Sequence, residues 1–322
     1  MNSIALWHTS GHASQILPGG LEWTGGDLML KTRYSLVSLG TELLVARGAV
    51  PLELWEDMRV PYMEGNFALP VKYGYSLVAQ VIEGPEEWKS KWVHVMHPHQ
   101  NWCRVDHKDC TVIPEDIPPR RATLASNLET ALTAVWDSGV SAGDRVLVVG
   151  FGLVGALTAM LLRQFPGVEI DVAEINPLRK AKAAALGFGA FDTYHSLRGY
   201  DVTFHATATG QGLQTAIDFA GPEARIMELS WYGEHPVNVH LGAGFHSQRK
   251  QILSTQVGVI PHFKHPRWNK ERRKEAVMRL LAWEGYDALF DHTVSFNELP
   301  SVFERLRAGE YQDLTCLVDY PE

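Results

Sequence analysis

Cysteine is scarce. Cys103, Cys110 and Cys316 are the three in the chain, and no two of them have CxxC spacing. An odd, scattered set argues against a disulfide framework and a cysteine-built zinc site, and makes a reducing, cytoplasmic setting the expectation. A basic excess is also missing. With 29 Lys+Arg against 37 Asp+Glu the formal net charge is −8, so the chain lacks the charge that displaces counterions from phosphates, and no nucleic-acid partner is expected. Internal repeats and low-complexity tracts are absent. The opening MNSIALWHTSGHASQ has no basic start followed by a long apolar run, which predicts no signal peptide. One stretch, Val146 to Leu162, is almost wholly apolar and near membrane-span length. Its three glycines and β-branched opening predict instead a buried strand, a tight turn and a buried helix, with no membrane partner.

What is present suits two domains. The 322 residues are 45% hydrophobic and 20% charged, enough for two buried cores. Residues 1–122 read as β-rich, with runs at Asp27–Val37, Val78–Ile82, Trp92–Met96 and Cys103–Val105 set between Gly, Pro and Asp. From about Thr123 the texture changes. A helix is expected over Ala122–Ser138, then strand Arg145–Val149, helix Leu153–Gln164, strand Glu169–Ala173 and helix Pro177–Leu186. Strand Val202–His205, helix Gly212–Phe219, strand Ala224–Leu229 and strand Gln251–Thr255 complete the series. That alternation predicts an α/β fold with a Rossmann-type, doubly wound parallel sheet over 123–257. The tail, 258–322, carries a helix at Lys270–Trp283 and short strands that are expected to return to the first domain.

The sharpest motif is Gly150-Phe151-Gly152-Leu153-Val154-Gly155, which follows strand RVLVV and opens a helix. In that context the first glycine permits a tight turn and the second lets backbone approach a pyrophosphate. The third lets the helix lie close on the strand, with its positive end toward the phosphates. Glu174 ends the next strand, nineteen residues beyond Gly155, where a carboxylate accepts hydrogen bonds from the adenosine ribose. A carboxylate there repels a 2′-phosphate, so NAD(H) is expected ahead of NADP(H); Arg179, a turn into the following helix, pulls the other way. Thr130 and Ser230 join the cofactor set, Ser230 because it follows a sheet strand at the edge where ligands bind.

The β-rich first half, the glycine turn and the C-terminal return resemble the medium-chain dehydrogenase/reductase superfamily over nearly the whole chain. Gly40-Thr41-Glu42, Pro70 to Ser76, Ala131 to Gly155 and Glu174-Ile175-Asn176-Pro177 carry the resemblance. Ser38-Leu39-Gly40-Thr41-Glu42 looks most like the branch that contains bacteriochlorophyllide a dehydrogenase and bacterial proteins called zinc-type alcohol dehydrogenases. The resemblance implies a GroES-like catalytic domain, a nicotinamide cofactor and a homodimer joined through the nucleotide domain. It also implies where zinc would sit. Zinc-dependent members carry cysteine where this chain has Leu39, Gly-His-Glu where it has Gly74-Tyr75-Ser76, and a third ligand near Ser126. None of these is a good zinc ligand, so no metal is expected.

Without a metal the protein has to handle one proton itself while the nicotinamide handles hydride. Thr41 matches the superfamily's relaying hydroxyl, and Tyr75 stands in the vacated ligand shell; turn-capping and simple packing are the plainer readings of each. Glu42 and Glu129 are further candidates, Glu129 being either a raised-pKa acid or half of a salt bridge. Among His94, His97, His99 and His107, the spacing of His97 and His99 could put both on one face, as proton donors in a substrate cleft. Trp231 and Tyr232 suggest a flat substrate or interface packing. Phe245 to Lys250 places cations before the last strand, where they could meet pyrophosphate, and the basic run Lys264 to Lys274 reads as a solvated helix face. The expectation is a zinc-independent, NAD(H)-linked oxidoreductase interconverting a secondary alcohol and a carbonyl on a small-molecule substrate. An NAD(P)H-dependent enone or quinone reductase and a non-catalytic dinucleotide sensor are the alternatives.

Overall fold

A computed structural model describes residues 2–20, 26–192 and 199–321. The chain divides into two compact units, one of residues 1–126 with 274–322 and one of residues 127–273. Both divisions fall inside helices, Ala125–Ser138 and Lys270–Leu281, later than the expected boundaries at 123 and 257 because the change of texture precedes the change of packing partner.

The second unit is the α/β one. Its six-stranded sheet runs Gly189–Phe191, Glu169–Ala173, Arg145–Val149, Tyr200–His205, Ala220–Glu228, Gln251–Ser254, and every neighbouring pair is parallel. Strand order reverses between Arg145–Val149 and Tyr200–His205. Right-handed crossovers therefore place the helices on opposite faces to either side of that point, which is where such sheets bind ligands. Leu147, Val149, Ala173, Leu213, Ala216, Ile217 and Ile226 fill one core of this unit. The apolar stretch from Val146 resolves as strand Arg145–Val149, the glycine turn and the ten-residue helix Leu153–Leu162. Among the described residues no helix is long and apolar enough to cross a membrane.

The first unit is β-rich. A four-stranded sheet orders Ala13–Pro18, Ile4–Ser10, Val71–Lys72 and Glu64–Gly65. A larger sheet orders Thr293–Ser295, Cys316–Asp319, Leu28–Val37, Leu77–Glu83, Trp92–Val95 and Cys110–Val112, with Trp102–Val105 paired to Leu28–Val37. The tail thus returns as expected. Cys316–Asp319 pairs antiparallel with Leu28–Val37, and helix Leu299–Ala308 buries Val302, Phe303 and Leu306 against Leu6, Val37 and Val318. Two local readings differ. Helix Leu39–Ala46 occupies a stretch read only as a motif. The helix expected from Ala122 is two, Pro119–Ala122 and Ala125–Ser138, broken where the Thr123 hydroxyl donates back to the Arg120 carbonyl at 2.6 Å.

Candidate functional site

In the second unit the three glycines of the turn do three different things. Gly150 has φ +97°, and a side chain there would strike Thr207 Cγ2 and the Ala206 backbone. A Cβ on Gly155 would lie 2.0 Å from the Gly150 carbonyl oxygen, so only glycine lets helix Leu153–Leu162 lie this close to the strand end. Above Gly152, by contrast, nothing lies within 4 Å of such a Cβ. That open face stands at the helix N-terminus, whose N-cap, Gly152, brings no side chain to the first-turn amides. Leu153, Val154 and Gly155 contribute those amides, a cradle that a pyrophosphate fits in size and charge.

Glu174 is buried, 7% exposed, and spans the turn and the next strand. One carboxylate oxygen accepts the Phe151 amide and the other accepts the Asn176 amide, both at 2.7 Å. Each oxygen keeps a second lone pair for a ribose hydroxyl. Arg179 lies in the first turn of helix Pro177–Ala185, whose N-cap Asn176 accepts from its amide at 3.2 Å. Thr130, on Ala125–Ser138, is partly exposed.

The sequence reading missed the neighbour of this turn. His205 and Glu228 are register partners at the ends of adjacent parallel strands. The His205 ring is wholly buried, with Nδ1 2.9 Å from both Glu228 oxygens and Nε2 2.6 Å from the Thr207 hydroxyl. Burial acts to raise the Glu228 pKa, but His205, the Ser230 amide and the Tyr232 hydroxyl together hold it below the usual carboxylate value. Ser230 itself accepts the Ala208 amide at 3.0 Å, so its hydroxyl is tied into this cluster. A histidine ending one predicted strand and a glutamate next to last in the following one were the available signal.

In the first unit the candidates separate into two groups. Tyr75 is partly exposed, and the hydroxyls of Ser38 and Thr41 hydrogen-bond its phenol. Burial, then the Glu42 charge, push the Tyr75 pKa up to about 12 against those two hydrogen bonds. Glu42 and His99 are both fully buried, with Oε2 to Nε2 at 2.8 Å. His99 Nδ1 lies 2.7 Å from the Ser35 hydroxyl, which lies 3.0 Å from the Tyr320 hydroxyl. His99 is therefore too deep to touch a substrate, contrary to its expected place as a proton donor.

His97 belongs elsewhere. Its Nδ1 donates to the Pro98 carbonyl at 2.8 Å, its ring stacks on Tyr62 at 5.1 Å, and it lines a cavity of about 660 Å³ with Tyr62, Met63, Lys72 and Gln100. Burial, then the Lys72 charge, push its pKa down to about 3, so at neutral pH it offers an acceptor and not the expected acidic proton. The two histidines share no face because residues 96–98 leave the strand before reaching them.

The residues at the positions where the resemblance places zinc are engaged with one another. Leu39 has no donor atom. Ser126 donates to the Tyr75 carbonyl at 2.8 Å, Ser76 donates to the Thr123 carbonyl, and His94 Nε2 lies 3.4 Å from both hydroxyls. Among the described residues, Asp27, Asp106 and His107, at the surface, are the one group of three such side chains near enough to share an ion.

Of three further expectations, one narrows to a reading already given and two change. Glu129 pairs with Arg273 at 3.0 Å, both buried, which is the salt-bridge reading of that residue. The basic run is consequently not all solvated: Arg273 is inside, and Lys264 stands over the Trp136 ring at 4.7 Å, because aromatic faces and a carboxylate meet the cations. Lys250 donates to the Ile217 carbonyl at 2.7 Å and Arg249 pairs with Glu223 at 3.4 Å. Both precede strand Gln251–Ser254, so they sit at the starting edge of a parallel sheet, opposite the glycine turn and any pyrophosphate.

No family model matches the chain. It is similar to an (R,R)-butanediol dehydrogenase of Neisseria gonorrhoeae, 30% identical over 142 residues, which span 40% of this chain and 40% of that relative's own length. Among solved structures it superposes on 2R,3R-butanediol dehydrogenase from Bacillus subtilis with a TM-score of 0.76 at 18% identity, covering 99% of this chain and 100% of that one. Acetophenone reductase from Geotrichum candidum in complex with NAD gives a TM-score of 0.73 at 12% identity, covering 99% and 97%. The fold is thus shared with these alcohol and ketone oxidoreductases.

Proposed function

We propose that the chain is a nicotinamide-dinucleotide-linked oxidoreductase that interconverts a secondary alcohol and a carbonyl on a mid-sized organic molecule, without zinc and with NAD(H) preferred. The observation that carries this reading is the glycine turn with its open face over Gly152 and the buried Glu174 carboxylate beside it. The first supplies a phosphate cradle and the second disfavours a 2′-phosphate. The bound NAD and the butanediol and acetophenone chemistry named for the similar proteins support the same class of reaction. Zinc independence rests on the donor set, since leucine, a protonated phenol and hydroxyls already donating to carbonyls hold a zinc ion poorly. A second reading, NAD(P)H-linked reduction of an enone or quinone, is favoured by those same hydroxyl donors, which suit an already polarised acceptor. A cytoplasmic homodimer, joined along the sheet-edge strand Gln251–Ser254, belongs to the proposal.

The test begins with fluorescence titration by NADH and NADPH. It continues with an NADH-absorbance screen of 2,3-butanediol, acetoin, acetophenone, cyclohexanone and benzoquinone, with and without a chelator. Binding of NADH and turnover that survives chelation are expected. Glu174→Ala should weaken NADH binding ten- to a hundredfold, as loss of hydrogen bonds to a charged group implies, and narrow the preference over NADPH. Unchanged selectivity removes the ribose assignment, and binding without any turnover leaves a dinucleotide sensor.

A further inference from the structure

The disagreement between the superfamily's zinc positions and the side chains at them leaves the question of what meets the substrate oxygen. We propose that the Tyr75 phenol, positioned by the Ser38 and Thr41 hydroxyls at the start of helix Leu39–Ala46, is the group that exchanges a proton with that oxygen. The proposal rests on the alcohol–carbonyl reading above.

The local structure is arranged to free these hydroxyls. Ser38 is the N-cap of its helix, yet its side chain caps no helix amide. The capping role falls to Glu42, whose Oε1 accepts the Ser38 amide at 2.8 Å. The Ser38 hydroxyl is thereby released to the phenol. Gly74 sets the ring's place. It has φ +135°, and a Cβ there would come within 3.2 Å of the His99 ring, so glycine lets the backbone pass over His99 and deliver Tyr75 beside the helix start. The other Glu42 oxygen is fixed by His99, with a row of hydrogen bonds behind it. The His99 ring bridges Glu42 and Ser35, through Nε2 at 2.8 Å and Nδ1 at 2.7 Å, and the Ser35 hydroxyl lies 3.0 Å from that of Tyr320. That row fixes the Glu42 side chain, which faces the phenol electrostatically from the helix.

Titratable groups around the phenol are Glu42 from the helix, Tyr73 in edge-to-face contact at 6.0 Å, and His94 beyond Ser126. Burial, then the Glu42 charge, keep Tyr75 protonated, so the phenol is an acid in waiting. A reduced nicotinamide, when bound, supplies the hydride. As the new C–H bond forms, the carbonyl π pair becomes an alkoxide, whose conjugate acid has a pKa of about 16. The Tyr75 proton passes to it downhill, giving the alcohol, and the phenolate recovers a proton from water through Thr41. Oxidation reverses each step and needs the phenolate first. Its rate should therefore climb about tenfold per pH unit from pH 7 to 10 with no plateau.

The experiment uses the full chain with NADH and the member of the panel turned over fastest. Tyr75→Phe is expected to bind NADH within threefold of wild type, to lose about 100-fold or more in carbonyl turnover, and to lose the rise of oxidation with pH. Thr41→Val, which removes a hydrogen bond that favours the phenolate, is expected to displace the oxidation profile to higher pH while leaving NADH affinity unchanged. Turnover of Tyr75→Phe within fivefold of wild type, or an unchanged pH slope, overturns the proposal alone. Failure of the wild type to turn over any panel member overturns the parent reading and this one with it.

Discussion

Glu42 Oε2 lies 2.8 Å from His99 Nε2 with neither side chain exposed to solvent. Removing one partner of such a pair strands the other away from water, which costs about 3–5 kcal/mol. Glu42→Ala should lose that much, and it also orphans the Ser38 amide. His99→Ala should lose a similar amount. The double variant should lose clearly less than the sum, because the contact between the two can be lost only once. Urea unfolding of the four proteins measures the cycle, and strict additivity would show that the contact contributes nothing.

That pair also shows what could be read from the chain and what could not. The parallel sheet was legible because its strands are short apolar runs between helices of period 3.6, and Glu169–Ala173 has the predicted bounds. The glycine turn was legible because each glycine answers a separate geometric demand. His99 and Glu42 were both singled out, but their meeting was not, since 57 residues separate them and only the folded sheet brings them together. His205 and Glu228 escaped for the same reason: register between parallel strands is set by the crossover, not by either strand. Helix Leu39–Ala46 was obscured by Gly40 in its first turn, a weak helix former tolerated there because it faces solvent.

Three buried histidines of the first unit predict how the fold responds to acid. Burial is the main cause that lowers His8, His94 and His97 from 6.5 to about 3, followed by Arg307, Lys274 and Lys72 respectively. In the unfolded chain each takes up a proton near 6.5; in the folded chain each refuses it until about 3. Their contribution is therefore complete above pH 6.5 and is lost progressively as pH falls toward 3. Well inside that window each adds a slope of about 1.4 kcal/mol per pH unit, about 4 for the three. Denaturant unfolding at half-unit steps from pH 7.5 to 5 should show stability falling steeply below 6.5. His97→Gln should remove about a third of the slope, and an unchanged slope would mean that His97 already carries its proton in the folded state.

The glycine turn separates folding from binding at adjacent positions. Gly155→Ala puts a methyl group 2.0 Å from the Gly150 carbonyl oxygen, so strand end or helix has to move, at a cost of about 1–3 kcal/mol or more. Gly152→Ala meets nothing within 4 Å, and its φ of −74° suits alanine, so stability should hold or rise by about 0.4–1 kcal/mol. The added methyl nevertheless stands where a pyrophosphate would approach the helix amides. Gly152→Ala should therefore keep its melting temperature and bind NADH more than tenfold weaker, while Gly155→Ala melts several degrees lower. Thermal melts without ligand, set beside NADH titrations, read the two effects independently. If Gly152→Ala bound NADH like the wild type, the open face above Gly152 would not be the phosphate's approach, and the cofactor assignment would have to rest on Glu174 alone.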